Sequence, residues 1–98
     1  MDIKKTKEGG TLTIALIGRL NTTTAPQLEV ELQQSTDGVE ELIFDFSQLE
    51  YISSAGLRLV MVADKVMQKQ GRMKIIHPNE EILEVFEVTG LIDLLQIL

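Results

Sequence analysis

The segment ELIFDF, from Glu41 to Phe46, constrains the fold of this chain more than any other stretch. Leu42, Ile43, Phe44 and Phe46 make it a nearly continuous apolar run. Such a run is typical of a strand that is buried on both faces, in the middle of a sheet covered by helices. We therefore predict a central strand here, with its side chains in the core.

Two further strands are predicted before this segment. In TLTIALIG, Leu12, Ile14 and Leu16 alternate with smaller or polar residues, which is the two-residue period of a strand with one face on a core. A weaker strand surrounds Ile3. The two glycines of the intervening EGG supply the backbone freedom for a reversal, so the two strands are predicted to form a hairpin.

The stretch TAPQLEVEL predicts a first helix. Thr24 and Gln27 have the spacing of a capping box, and Pro26 suits a first helical turn, where its missing N–H costs nothing. We expect this helix to end near Asp37 and Gly38.

Helices and strands continue to alternate after the central strand. Apolar residues return at helical spacing from Ser54 to Gln70, and Gly71 is predicted to end that helix. RMKII predicts a short buried strand, and PNEEILEVFEVTG predicts an acid-rich helix that stops at Gly90. The closing LIDLLQIL is apolar enough that it must pack back on the core.

This order of elements predicts an α/β fold. Strands that are connected through helices favour parallel pairing with right-handed crossovers. We expect a mixed sheet of four or five strands with helices packed against it. A chain of 98 residues is long enough for one such domain, spanning residues 1–98, and too short for two.

Composition excludes several classes of partner and location. The net charge of -6 argues against nucleic acid, whose affinity for proteins rests on lysine and arginine. No cysteine is present, so disulfides and thiolate metal sites are excluded. The amino terminus lacks an apolar signal core and no run of eighteen apolar residues occurs, which predicts a cytoplasmic protein without membrane insertion.

The charge is unevenly distributed along the chain. From Arg58 to Lys74 there are five basic residues and one acid, so this segment carries +4 and the remainder carries -10. One interpretation is that these charges lie on solvated helix faces. The other is a bipolar surface that orients a charged partner.

Residues for catalysis are scarce. His77 is the only histidine, and it is predicted to be an exposed loop residue without a metal partner. Neither a phosphate-binding glycine loop nor a Gly-x-Ser-x-Gly elbow occurs. Asp45, at a strand end, has either a structural hydrogen-bonding role or a functional one. We therefore predict neither an enzyme nor a metal site.

The stretch LEYISSAGLRLV places Ser53 and Ser54 where the central strand leads into the second helix. A serine at this position is typical of a helix cap, because its oxygen accepts a hydrogen bond from an otherwise unpaired N–H. A cap requires only one of the two serines.

Three separated motifs resemble those of the STAS domain, and in particular bacterial anti-sigma factor antagonists. FDFSQLEYISSAGLRLV resembles the central strand, serine and helix of that family. GRLNTTTAPQLE resembles its Gly-x-Leu-Asp stretch, and ILEVFEVTGL resembles its closing helix and Thr-Gly-Leu turn. The motifs occur in the family's order and span almost the whole chain.

The resemblance implies a small sheet with helices on one side and a switch based on serine phosphorylation. The implied phosphoacceptor is Ser54, with Ser53 as the alternative. The implied partners are an anti-sigma factor that is an ATP-dependent serine kinase, and a serine phosphatase that restores the protein. ATP and magnesium belong to those partners, so no cofactor is implied for this chain.

The predicted partner surface combines two segments at one edge of the sheet. It comprises Asn21, Thr22, Thr23, Thr24, Ser53, Ser54, Ala55, Gly56 and Arg58. Asn21, Ser53 and Ala55 differ from the residues that the family often has there, which are aspartate, aspartate and a hydroxyl residue. Two other functions stay open: an accessory STAS subunit of a lipid-transport or stress-signalling assembly, and a small enzyme or ligand-binding domain.

Overall fold

A single five-stranded sheet organises the molecule, in the order β1-β2-β3-β4-β5. The computed structural model describes all 98 residues. The strands are β1 (Asp2–Glu8), β2 (Thr11–Leu20), β3 (Glu41–Ile52), β4 (Arg72–Ile76) and β5 (Gln96–Ile97). The helices are α1 (Ala25–Ser35), α2 (Ser54–Gln68) and α3 (Glu80–Thr89), followed by a 3-10 turn at Leu91–Asp93.

Strand pairing follows the predicted connections. The β1–β2 pair is an antiparallel hairpin that closes at Glu8 and Thr11, with Gly9 in the left-handed region at φ 59°. The pairs β2–β3, β3–β4 and β4–β5 are all parallel. The mixed sheet with β3 at its centre confirms the predicted fold class.

The prediction that β3 is buried on both faces was wrong. Leu42, Phe44 and Phe46 are fully buried, whereas Ile43 and Asp45 between them are partly exposed. The structure covers one face of the sheet with helices. Ile43 lies on the opposite face, where its register neighbours are the polar residues Thr13 of β2 and Lys74 of β4.

Aromatic side chains join the sheet to the last helix. The ring centroids of Phe44 and Phe46 are 5.7 Å apart, and Phe46 stacks on Phe86 of α3 at 6.5 Å. All three rings are fully buried. Burial of side chains of this size contributes about 1.5–3 kcal/mol each before conformational entropy is counted.

Gly90 ends α3 as predicted, whereas α2 ends at Gln68, before the predicted stop at Gly71. Gly90 has the left-handed φ of 79° that the predicted helix stop requires. Gly71 lies beyond the end of α2, and a Cβ atom there would overlap the carbonyl oxygen of Glu40. The absence of a side chain therefore allows the turn before β4 to pack against the start of β3, where Arg72 N donates to that carbonyl at 3.0 Å.

The carboxyl-terminal segment packs back on the core, as predicted. Leu95 is buried, and β5 extends the sheet by pairing with Lys74 and Ile75 of β4. A helix that could span a membrane is absent, since the longest helix, α2, has 15 residues and about 20 apolar ones are needed.

Candidate functional site

The two segments of the predicted partner surface lie side by side because they follow parallel neighbouring strands. Leu20 at the end of β2 is paired with Ile52 at the end of β3. The backbone N–H of Ser53 then donates to the carbonyl of Leu20 at 2.9 Å. This bond joins the start of the turn before α2 to the end of β2, next to the loop that begins at Asn21.

Ser53 is the cap of α2. Its backbone is extended, with φ -95° and ψ 175°, and its hydroxyl oxygen accepts from the N–H of Gly56 at 3.3 Å. The residue is half-buried. One of the two serines is therefore already committed to holding the helix terminus.

Ser54 is the first residue of α2 and differs from its neighbour. It is exposed, and its hydroxyl makes no hydrogen bond within the protein. The backbone N–H groups of Ser54 and Ala55 also lack acceptors in the chain. A helix amino terminus carries a partial positive charge, so this end of α2 is suited to an anionic group.

Gly56 holds the first turn of α2 against the sheet. It is buried, and a Cβ atom built on it would lie 2.7 Å from Leu20 Cγ and 2.9 Å from Ile52 Cγ1. Only a residue without a side chain permits this approach. Gly56 therefore positions Ser53 and Ser54 over the ends of β2 and β3.

Asn21 organises the second segment of the surface. Its side-chain oxygen accepts from the N–H groups of Thr23 and Thr24 at 3.0 and 3.1 Å, which is an Asx turn. The Thr24 hydroxyl accepts from Asn21 N at 2.9 Å and donates to the carbonyl of Arg19 at 2.8 Å. Thr22 and Thr23 are left exposed by this arrangement.

The predicted capping box of α1 was wrong. Thr24 has φ -93° and ψ -17° and makes no capping bond to the helix, because its hydroxyl is engaged by Arg19 and Asn21. Gln27 instead donates from Nε2 to the carbonyl of Met1 at 3.1 Å. Pro26 does lie in the first turn, as predicted, and the helix ends at Ser35.

A cleft of about 210 Å³ separates the starts of α1 and α2 and brings part of the predicted surface together. Three predicted residues line it, namely Thr22, Ala55 and Arg58. Asn21, Thr23, Thr24, Ser53, Ser54 and Gly56 lie outside it. Glu29 and the exposed Arg58 place opposite charges in this cleft, yet they form no ion pair.

The basic segment divides into two parts with different environments. Arg72 and Lys74 on β4 contact Glu41 Oε2 at 2.9 and 3.9 Å, so they are structural partners of the sheet. The basic residues of α2 and its C-cap, which are Arg58, Lys65 and Lys69, are exposed and unpaired. The helical part therefore offers cations without an acidic partner in the chain, whereas Arg72, although exposed, is already paired with Glu41.

An arginine on an aromatic ring was not anticipated. The guanidinium carbon of Arg19 lies 4.4 Å from the ring centroid of Tyr51, and both residues are exposed. The parallel register pairs these two residues directly, one position before each strand ends. Only knowledge of that register could have indicated the contact.

The remaining polar residues of interest are structural or isolated. Asp45 Oδ1 accepts from Ser47 N at 2.9 Å, which favours the hydrogen-bonding alternative for this carboxylate. His77 is exposed in the loop between β4 and α3, as predicted. No group of three or more His, Asp or Glu side chains is placed to hold a metal ion.

Comparison with known proteins identifies relatives of this chain. The model of the STAS domain family matches residues 2–98. A Bordetella bronchiseptica protein named "Putative anti-sigma factor antagonist BtrV" is 38% identical over 96 residues, which cover 96% of this chain and 83% of the relative.

Two solved structures share the fold. The unphosphorylated form of the anti-sigma factor antagonist SpoIIAA has a TM-score of 0.85 and 21% sequence identity to this chain. The match covers 99% of this chain and 88% of the SpoIIAA chain. The phosphorylated form of SpoIIAA from Bacillus has a TM-score of 0.77 and 21% identity, with coverage of 99% and 91%. The names of these proteins describe regulators and not enzymes, and the likeness confirms the predicted type of fold.

Proposed function

The chain belongs to the STAS domain family, and from that premise we propose that it is an anti-sigma factor antagonist that is switched off by phosphorylation of Ser54. The observation that carries this proposal is the difference between the two serines. Ser54 offers an exposed hydroxyl without a hydrogen bond, whereas the hydroxyl of Ser53 is occupied by Gly56. The name of the relative BtrV and the two forms of SpoIIAA support it.

The partner in this proposal is a cytoplasmic anti-sigma factor that is also an ATP-dependent serine kinase. The unmodified protein binds the anti-sigma factor and frees its sigma factor. A serine phosphatase returns the modified protein to the active state. Magnesium and ATP are bound by the partners, so this chain supplies only the acceptor hydroxyl and the docking surface.

The proposed docking surface consists of both segments at the ends of β2 and β3. Asn21, Thr22, Thr23 and Thr24 form one side, and Ser53, Ser54, Ala55 and Arg58 form the other, with Gly56 positioning the turn. Loops at one edge of a rigid sheet commonly carry function. The unpaired Arg58 would attract an acidic region of the partner.

Phosphorylation is proposed to act at the interface without unfolding the domain. A phosphate adds about -1.5 to -2 charge at neutral pH. Next to the free N–H groups of α2 this charge stabilises the fold by about 0.3–1 kcal/mol. Across an interface the effect is reversed if the partner has a negative charge about 5 Å away. One unit of added negative charge then costs about 3 kcal/mol of binding free energy at an effective dielectric near 20, which lowers the affinity more than a hundredfold.

A pull-down with ATP from native cells solubilised in detergent, followed by mass spectrometry, tests the identity of the partner. We expect a kinase-like anti-sigma factor to co-purify, and recovery of a transporter permease in its place would contradict the proposal. The recovered kinase is then incubated with wild type, Ser53→Ala and Ser54→Ala. Peptide mapping should find phosphate on wild type and Ser53→Ala but not on Ser54→Ala, and phosphate on Ser53 alone would overturn the assignment.

A further inference from the structure

An open apolar groove lies between α3 and the end of β3, outside the α1–α2 cleft. Its volume is about 360 Å³, and its apolar lining consists of Tyr51, Ile52, Ile82, Val85 and Val88. Val88 is 80% exposed and Tyr51 is 37% exposed, although both are large apolar residues. Contiguous exposed apolar surface next to polar residues is typical of an interaction site.

The polar rim of this groove is acidic. Glu81 and Glu84 line it, and α3 also carries Glu80 and Glu87. None of these four carboxylates forms an ion pair within the chain. The sequence contains no lysine or arginine after Lys74, so α3 has no basic neighbour in its own segment.

One cation borders the groove at its Tyr51 end. The guanidinium of Arg19 lies over the Tyr51 ring at 4.4 Å and thereby covers part of one ring face. The glutamates lie along α3, on the other wall of the groove, and Arg19 pairs with none of them. The charge at the α3 wall is therefore uncompensated.

We propose that this groove binds a basic segment of a partner protein, which inserts apolar side chains beside Tyr51, Val85 and Val88 and pairs lysine or arginine with Glu81 and Glu84. Charge complementarity selects this occupant, because an acidic rim repels phosphate groups of nucleic acids and lipids. The proposal is independent of Ser54 and of the proposed function. The groove nevertheless adjoins that surface, since Ile52 of its lining directly precedes Ser53.

Selection of random twelve-residue peptides by phage display on the folded protein tests this proposal. Binders that also adhere to the Glu84→Lys/Val88→Ser double variant are removed, and circular dichroism verifies that this variant is folded. We expect the remaining peptides to be enriched in both basic and large apolar residues. Absence of enrichment, or enrichment of peptides without basic residues, would overturn the proposal.

A synthetic peptide with the selected consensus then locates the site. We expect it to shift the amide resonances of Tyr51, Val85 and Val88 in nitrogen-15 spectra. Glu84→Lys should lower its affinity about fivefold to tenfold, because one attraction is replaced by a repulsion. Glu87→Lys is the matched control, since it makes the same change in net charge on the same helix but does not line the groove.

Comparison of Glu84→Lys with Glu87→Lys distinguishes binding in the groove from a general effect of the charge of α3 on peptide affinity. Glu87 does not line the groove, so its charge acts on a bound peptide through solvent that salt screens, and Glu87→Lys should lower the affinity less than Glu84→Lys does. Equal losses in the two variants, or shifts confined to another surface, would contradict the proposal. Self-association of the wild type in sedimentation, abolished by Glu84→Lys, would assign the groove to a second copy and also overturn it.

Discussion

The hydroxyl oxygen of Ser53 accepts a hydrogen bond from the backbone N–H of Gly56 at 3.3 Å. Because of this bond, two adjacent serines have different roles. Ser53 holds the first turn of α2, and Ser54 stays free at the same helix terminus. A modification of Ser54 can therefore change the surface of the protein without removing the cap.

The two serines should differ in their effect on stability. Ser53→Ala removes the cap of α2 and is expected to lower the free energy of unfolding by about 0.5–2 kcal/mol. Ser54→Ala removes no hydrogen bond and should change it by less than about 0.5 kcal/mol. Urea unfolding of both variants measures the difference, and equal losses would show that Ser53 is not the cap.

Ser54→Asp should weaken binding to the anti-sigma factor while the domain stays folded. The added carboxylate mimics part of the charge of a phosphate and lies at the positive end of α2. We expect at least a tenfold loss of affinity and a melting temperature within a few degrees of wild type. Ser54→Ala is the control and should bind like wild type. Undiminished binding by Ser54→Asp and by the phosphorylated protein would remove Ser54 as the switch.

Gly56→Ala should destabilise the domain, although alanine is normally the better helix former. Its methyl group would overlap Leu20 and Ile52, and overpacking of this kind costs about 1–3 kcal/mol. Leu20→Ala makes room for that methyl group, so the double variant should lose less stability than the sum of the two single variants. Strictly additive losses would mean that Gly56 and Leu20 do not restrict each other.

Arg58→Glu should slow association with the anti-sigma factor at low salt, with a smaller effect at high salt. Arg58 is exposed and unpaired in the cleft between α1 and α2, so it can attract an acidic partner over a distance. Lys65→Glu makes the same charge change on α2 outside that cleft and should slow association less. Stopped-flow rates for the two variants decide the point, and identical rates would exclude Arg58 from the interface.

The two faces of the sheet should respond differently to truncation. Ile14→Ala removes a fully buried side chain and should cost about 2–5 kcal/mol, because it leaves a cavity. Ile43→Ala, on the partly exposed face, is expected to cost no more than about half as much. Denaturant midpoints compare the two. A larger loss at Ile43 would indicate that this face is covered in solution.

The sequence determined the type and order of the major elements. The alternation of Leu12, Ile14 and Leu16 and the helical spacing after Ser54 are local patterns, and local patterns reflect the geometry of strands and helices directly. The same patterns located Ser53 and Ser54 at a helix start, since the change of period occurs there. Because a helix cap uses one side-chain oxygen, the sequence also indicated that only one of the two serines is needed for the cap.

The tertiary structure decided which of these residues does what, because the deciding partners are distant in sequence. The apolar run around Phe44 is compatible with helices on one face of the sheet or on both. Ile43 is partly exposed because the helices cover only the face that contains Phe44. The Thr24 hydroxyl is engaged by Arg19 and Asn21, so it does not cap α1. Likewise, the contact of Arg19 with Tyr51 and the groove beside it arise from the parallel register of β2 and β3 and the packing of α3, which no local pattern specifies.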